Sequence, residues 1–302
     1  MSARSQAAEW TRRAERGSLP LIRFMVRASL VLGRTGSRVL LRLIAAYFLA
    51  FGGAAGRASR RFLARALGRM PSLAERYRLV FTFATVLHDR IYFLRNRFDL
   101  FEIEVRGAEH FRDGEGVLLM GAHMGSFEAL RACGREMGRR RVVMAMYEDN
   151  ARRMNAMYRA VDPDALQDVV ALSRPQSMIE IARRLEEGAL VGMLADRTLG
   201  TEPALALPFL GVPAHFPTGP MRIAAALGRR VIFMVALHRG GNRYEIAFEP
   251  LADFSGDGGN SREHRDALVS RAVTAYAARL ERCAREAPYN WFNFHDFWDQ
   301  AR

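Results

Sequence analysis

An α/β fold with a mixed, largely parallel central sheet flanked by helices is predicted by three observations. From about Pro71 onward, short apolar runs alternate with longer amphipathic stretches. Polar residues stand directly after several of the runs, where the carboxyl ends of strands lie in folds of this kind. The chain has 302 residues and is 50% hydrophobic, enough for a large core. A basic, apolar amino-terminal segment precedes this alternation. The expected organisation is residues 1–70 as membrane-associating helices and residues 71–302 as the catalytic domain.

The amino-terminal segment carries most of the charge. All 45 basic residues are Arg, and the formal net charge is +13. Residues 1–69 hold 14 Arg against Glu9 and Glu15, so the remainder is almost neutral. Residues 20–32 and 39–55 are rich in Leu, Ile, Phe, Met and Ala. Arg23, Arg27, Arg34, Arg38 and Arg42 recur about once per helical turn between them. That is the amphipathic basic pattern of a helix lying at a membrane interface. The longest uninterrupted apolar run, residues 43–55, has thirteen residues, and a spanning helix needs about 20. A surface-lying hairpin on an anionic phospholipid membrane is therefore expected. Nucleic acid is not the expected partner, because the arginines alternate with Leu, Ile and Phe and no recognition motif accompanies them.

The catalytic portion opens with a helix predicted at 72–98. Strands are predicted at 101–106, 117–121, 142–147, 169–172, 190–194, 231–237 and 244–249. Helices are predicted at 127–137, 151–160, 177–187, 217–227 and 261–287. Residues 208–220 are punctuated by Pro and Gly and read as a loop, with His215 a loop residue. Residues 288–298 hold six aromatics and read as a packed closing segment. The two cysteines, Cys133 and Cys283, lie far apart on predicted helices and make neither a metal spacing nor a disulfide framework.

Candidate chemistry follows the strands. Gly121-Ala122-His123-Met124-Gly125-Ser126-Phe127-Glu128 leaves the apolar run 117–120 at a strand-to-helix turn. A neutral imidazole there can take a proton from a hydroxyl, and a carboxylate on its other nitrogen fixes the tautomer and stabilises the imidazolium. His123 and Glu128 are the candidate pair. Asp196-Arg197 follows the run 190–194, with Arg197 placed for a phosphate or a carbonyl oxygen and Asp196 holding it. Asn150 reads as a helix N-cap after the strand at 142–147, with Arg153 near enough for phosphate. Gly125, Ser126, Asn150, Arg153, Asp196 and Arg197 are thus the expected substrate-binding residues. There is no phosphate-binding Gly-Lys-Ser loop, no Gly-x-Gly-x-x-Gly after a strand, no Gly-x-Ser-x-Gly elbow and no His-Glu-x-x-His. The seven His are scattered, so no metal site is expected.

Together these features resemble the lysophospholipid acyltransferase superfamily, and within it the lipid A biosynthesis acyltransferase branch. The resemblance covers most of the chain. It is carried by the basic apolar amino terminus, by His123 to Glu128, by Ala195-Asp196-Arg197 and by Pro208-Phe209-Leu210-Gly211-Val212-Pro213-Ala214. The segment 288–298 looks closest to a subgroup of predicted acyltransferases associated with glycosyltransferases and aryl polyene-type lipid clusters. The resemblance implies a glycerolipid acyltransferase-like fold with His123 and Glu128 as the catalytic pair. It implies direct transfer of an acyl chain from a thioester to a hydroxyl, without an acyl-enzyme. The implied donor is an acyl carrier protein thioester, or else acyl coenzyme A, and no cofactor is implied. The implied acceptor is a lipid or glycolipid, at the cytoplasmic face of the bacterial inner membrane. Asp-Arg stands where lipid A enzymes more often have Asp-Gln, which points away from lipid A itself as acceptor. The rival expectations are a lysophospholipid acyltransferase and a catalytically silent membrane scaffold.

Overall fold

The computed structural model describes residues 19–130, 132, 140–146, 161, 169–172, 175–198, 202–256 and 261–298. Its centre is a seven-stranded sheet in the order β1-β9-β8-β2-β5-β3-β4. The strands are β1 (Glu102–Arg106), β2 (Val117–Gly121), β3 (Val142–Met146), β4 (Val169–Ala171), β5 (Leu190–Leu194), β8 (Arg230–Gly240) and β9 (Arg243–Asp253). The pairs from β8 through β2, β5 and β3 to β4 are parallel, as is β1 with β9, while β8 and β9 form an antiparallel hairpin. Residues of β2 are buried along its whole length. Strands covered on both faces read as continuous apolar runs, which is why β2, β3 and β5 were visible in the sequence.

Six helices accompany the sheet among the described residues: α1 (Leu19–Phe51), α2 (Gly53–Leu67), α3 (Leu73–Leu94), α4 (Pro175–Glu186), α5 (Gly219–Ala226) and α6 (Arg262–Glu286). The start of α3 is written in its sequence: Ser72 Oγ accepts from Glu75 N at 3.2 Å, and Glu75 Oε2 accepts from Ser72 N at 2.7 Å. Ser261 caps α6 by accepting from His264 N.

Residues 208–220 are not a loop. Two strands, β6 (Ala204–Phe209) and β7 (Val212–Pro217), form a separate antiparallel hairpin in which Pro208 faces Pro213. Both strands are edges, where a missing N–H is tolerated. Leu210 and Gly211 both take positive φ, 51° and 82°, as a two-residue hairpin turn requires. His215 lies on β7.

α1 is two helical pieces joined across a kink: Gly33, between the two apolar stretches, has non-helical geometry (φ 66°, ψ 173°). α1 meets α2 at 93°, an elbow at Gly52-Gly53. No single helix among the described residues is long and apolar enough to cross a membrane; α1 and α2 satisfy length and composition only together. Val26, Leu41 and Ala45 of α1 are buried, whereas Val39, Leu43, Tyr47 and Phe51 are exposed at four-residue spacing.

A buried ion pair ties α1 to the domain. Arg34 Nε and Nη2 each donate to a different oxygen of Asp89 on α3 at 2.8 Å. Tyr244 Oη of β9 donates to Asp89 Oδ2 at 2.8 Å, and Arg34 and Arg38 both reach the Gly241 carbonyl. Burial alone would raise the Asp89 pKa; the neighbouring His88 ring, the hydrogen bonds from Arg34 and Tyr244 and the Arg34 charge outweigh it and hold the carboxyl below the usual carboxylate value. A depressed carboxyl contributes stability above its unfolded pKa, about 3.9, and loses it as pH falls through the folded value. Removing one partner strands a buried charge, so Asp89→Ala should lower folding stability by about 3–5 kcal/mol. Denaturant titration of wild type and variant measures this, and an unchanged midpoint would show that the pair does not hold α1.

Candidate active site

The site forms where the carboxyl ends of β2 and β5 lie side by side. These strands are parallel neighbours, with Gly121 paired to Leu194. Ala195 N donates to the Gly121 carbonyl at 3.0 Å, and Tyr276 Oη of α6 donates to the same oxygen at 2.7 Å. Residues two positions beyond each end, His123 and Asp196, are thereby brought together. His123 Nδ1 lies 2.8 Å from Asp196 Oδ1, and His123 N donates to Asp196 Oδ2 at 3.1 Å.

The partner on His123 Nδ1 is therefore Asp196, and Glu128, expected at that nitrogen, makes its printed contacts elsewhere. The reason is topological. Glu128 is five residues along the chain, past a turn that carries it into the interior, whereas Asp196 is the neighbour across a parallel strand pair. The Glu128 carboxylate is buried, with Oε1 2.7 Å from Arg90 Nε of α3 and Oε2 accepting from Ser126 Oγ at 3.4 Å.

The turn itself depends on Gly125. Its φ is +68°, and a Cβ there would stand 1.8 Å from the Ala236 carbonyl oxygen of β8. Only glycine allows this close approach. Its consequence alters one sequence expectation. Gly125 N donates to Asn290 O at 2.9 Å and Ser126 N donates to Ala236 O at 2.8 Å. Both N–H groups are engaged inside the fold, so neither faces a substrate oxygen.

Arg197 does stand at the site. Its Nη2 donates to the Phe292 carbonyl at 3.0 Å, while its Nε is buried without a hydrogen-bond partner. Asn150 and Arg153 lie outside the described residues, as do the helix expected at 151–160 and most of that expected at 127–137.

Electrostatics push the two groups apart. Burial, then the Arg197 charge, lowers the His123 pKa below the ordinary imidazole value, against the pull of Asp196. Burial would raise Asp196, but the His123 charge and hydrogen bond, Arg197 and the Trp291 indole outweigh it and hold the carboxyl well below its usual range. At neutral pH the imidazole is neutral and the carboxylate ionised. Asp196 is almost sealed at 1% exposure, while the His123 side chain is 33% exposed. Its Nδ1 is committed to Asp196, which leaves Nε2 as the nitrogen able to accept a proton.

The segment following α6 was read as closing packing, and it packs. Trp291, Phe292 and Phe297 are buried. It also contributes to the site. Phe292 N donates to His123 O at 2.8 Å, and Trp291 Nε1 donates to Asp196 Oδ2 at 3.0 Å. His295 is lowered to about 4 by burial, with further lowering by the Arg197 charge. These contacts had no signature in the sequence, because each joins residues some 95 or more positions apart. No group of three or more potential metal ligands occurs among the described residues.

The chain matches the bacterial lipid A biosynthesis acyltransferase family over residues 19–300. Among solved structures it is similar to the 1-acyl-sn-glycerophosphate (LPA) acyltransferase PlsC from Thermotoga maritima, at 15% sequence identity. That similarity covers 81% of this chain and 97% of the other, with a TM-score of 0.37. No curated protein matches the chain. The family match takes in the His123 turn, the Asp196-Arg197 strand end and the aromatic segment behind them, and by it the chain belongs to the bacterial lipid A biosynthesis acyltransferases, enzymes that transfer acyl groups in lipid biosynthesis.

Proposed function

We propose that this acyltransferase moves a fatty or polyene acyl chain from a thioester to a hydroxyl of a lipid or glycolipid, with His123 as general base. The reading rests on one observation: a part-exposed imidazole whose Nδ1 is committed to a buried carboxylate. His123 Nε2 takes the proton of the acceptor hydroxyl as its oxygen attacks the thioester carbonyl carbon. Asp196 stabilises the imidazolium. The carbon–sulfur bond then breaks, and the imidazolium returns its proton to the leaving sulfur. Ester and free thiol are the products, and no acyl-enzyme forms. The base contributes about 10²–10⁴-fold, and the remainder comes from alignment of the two substrates and from stabilisation of the oxyanion. With the Gly125 and Ser126 amides engaged internally, Arg197 is the donor for the oxyanion. Glu128, held by Arg90, supports the turn that carries His123.

The donor is an acyl carrier protein thioester, with acyl coenzyme A as the other candidate. The enzyme sits peripherally on the cytoplasmic face of the inner membrane. Support comes from the exposed stripe Val39, Leu43, Tyr47 and Phe51 on α1 and from exposed Arg60 on α2. An exposed apolar stripe on one helix and an exposed cation on the next suit an anionic bilayer surface.

The test is to incubate purified enzyme with a labelled acyl carrier protein thioester and a lipid extract of the native host, then analyse products by mass spectrometry. A new acylated lipid that disappears with His123→Ala is expected. Equal product from both proteins would sink the assignment of His123, and product from neither would favour a silent scaffold. A mass shift confined to lysophospholipid would identify that class as the acceptor.

Asp196→Asn should lower kcat by about 10²–10⁴-fold, up to the whole contribution of the base, because it leaves His123 in the wrong tautomer. Glu128→Gln should lower the melting temperature more than it lowers kcat. The opposite ranking would return the orienting role to Glu128.

The pH dependence has a fixed sign. The depressed His123 pKa keeps the base neutral below the usual imidazole value, so the acid limb of kcat/KM should lie below about 6.5. Arg197→Gln removes a neighbouring positive charge and should move that limb upward. A limb that stays in place would show that His123 is not the titrating group or that Arg197 does not act on it.

A further inference from the structure

We propose that Trp291 is a positioning residue of this reaction: its indole N–H fixes the Asp196 carboxylate so that one oxygen stays on His123 Nδ1. The assignment rests on the reading of His123 as the base.

The geometry divides the two carboxylate oxygens. Oδ1 meets His123 Nδ1 at 2.8 Å. Oδ2 accepts from His123 N at 3.1 Å and from Trp291 Nε1 at 3.0 Å. A buried carboxylate held only by the imidazole and one amide is free to pivot about its own axis. A third donor, arriving on a rigid ring, removes that freedom. The Trp291 ring is itself held: it is fully buried and packs edge-on against Phe62 of α2 at 4.8 Å, Phe209 of β6 at 5.3 Å and Phe297 at 5.0 Å.

The backbone beneath the ring is fixed just as firmly. Trp291 bridges to Met124 in antiparallel fashion. Gly125 N donates to Asn290 O, and Phe292 N donates to His123 O. The Asn290 side chain accepts from His238 N at 2.8 Å and donates to His238 O at 3.2 Å, locking the segment to β8. Residues 290–292 are thus laced to the loop that carries His123, and the indole is aimed from that lacing at the carboxylate. A tryptophan placed only to fill the core would need some acceptor for its N–H. Here the acceptor is the one anion on which the base depends.

The consequence has a sign. The indole N–H partly neutralises Asp196. Without it the carboxylate favours the imidazolium more strongly, and His123 titrates at higher pH.

Trp291→Phe keeps an aromatic ring and removes the donor. In the full-length enzyme it should lower kcat about tenfold, the order expected for one hydrogen bond to a charged group. KM for the acyl thioester should be unchanged. The acid limb of kcat/KM and the His123 imidazole titration followed by NMR should both move upward. A purely structural role would lower the melting temperature without moving either titration, and that result overturns the proposal. Unchanged kcat and titration overturn it equally.

If Trp291→Phe does not fold, the wild-type indole N–H resonance serves instead, assigned with Trp10→Phe and Trp298→Phe. It should titrate with the same midpoint as the His123 ring, and a signal flat with pH would overturn the proposal. The two readings fail separately. Full activity in His123→Ala removes the base assignment itself, whereas an inactive His123→Ala beside a wild-type-like Trp291→Phe removes only the role of Trp291.

Discussion

A buried, ionised carboxylate is costly unless every lone pair it exposes finds a donor, and in this fold that constraint falls on Asp196. Its donors come from two stretches of chain that are distant in sequence: the loop after β2 supplies an imidazole and an amide, and the segment after α6 supplies an indole. The carboxylate itself hangs from the end of β5. Three parts of the molecule must therefore be in register before the anion is satisfied. The parallel pairing of β2 with β5 sets the first distance, and the antiparallel bridge between Met124 and Trp291 sets the second. The same contacts that make the carboxylate tolerable fix the orientation of the imidazole, the group proposed above as the base. Stability and chemistry here are two readings of one set of hydrogen bonds.

The parts legible in the sequence are those governed by local pattern. The apolar runs of β2, β3 and β5 identify strands because both faces of the sheet are covered. Polar residues just past β2 and β5 identify the site because the carboxyl ends of parallel strands leave it open. His123, Asp196 and Arg197 were found this way. Which carboxylate serves His123 was not legible. Sequence spacing favours Glu128, but spacing reports neighbours along the chain, and the deciding neighbour lies across a strand pair. The amides of Gly125 and Ser126 looked free for the same reason. Their acceptors, Asn290 O and Ala236 O, sit about a hundred residues or more away. The hairpin β6–β7 was hidden by its prolines, which rule out a central strand but not an isolated two-stranded ribbon.

The basic amino-terminal segment shows how charge counting misleads when taken alone. Part of its excess is used inside the protein. Arg34 is committed to Asp89 and to the Gly241 carbonyl, Arg38 also to Gly241, and Arg61 to Asp296. Arg65 lies over the Trp298 ring at 4.7 Å. These residues fasten α1 and α2 to the sheet and to the aromatic segment. The apolar stripe of α1 is thereby held in a fixed orientation relative to the site, instead of trailing from it on a flexible tether.

The aromatic segment has one further consequence, for the order in which the enzyme comes into being. A ribosome delivers β2 and β5, and with them His123 and Asp196, long before residues 290–292. Until that late piece arrives, the Asp196 carboxylate lacks its indole donor and the loop bearing His123 lacks the bridge that shapes it. A nascent chain can hold the imidazole and the carboxylate side by side and still lack the contacts that fix them. On the role proposed for His123, completion of the site thus waits on the segment after α6.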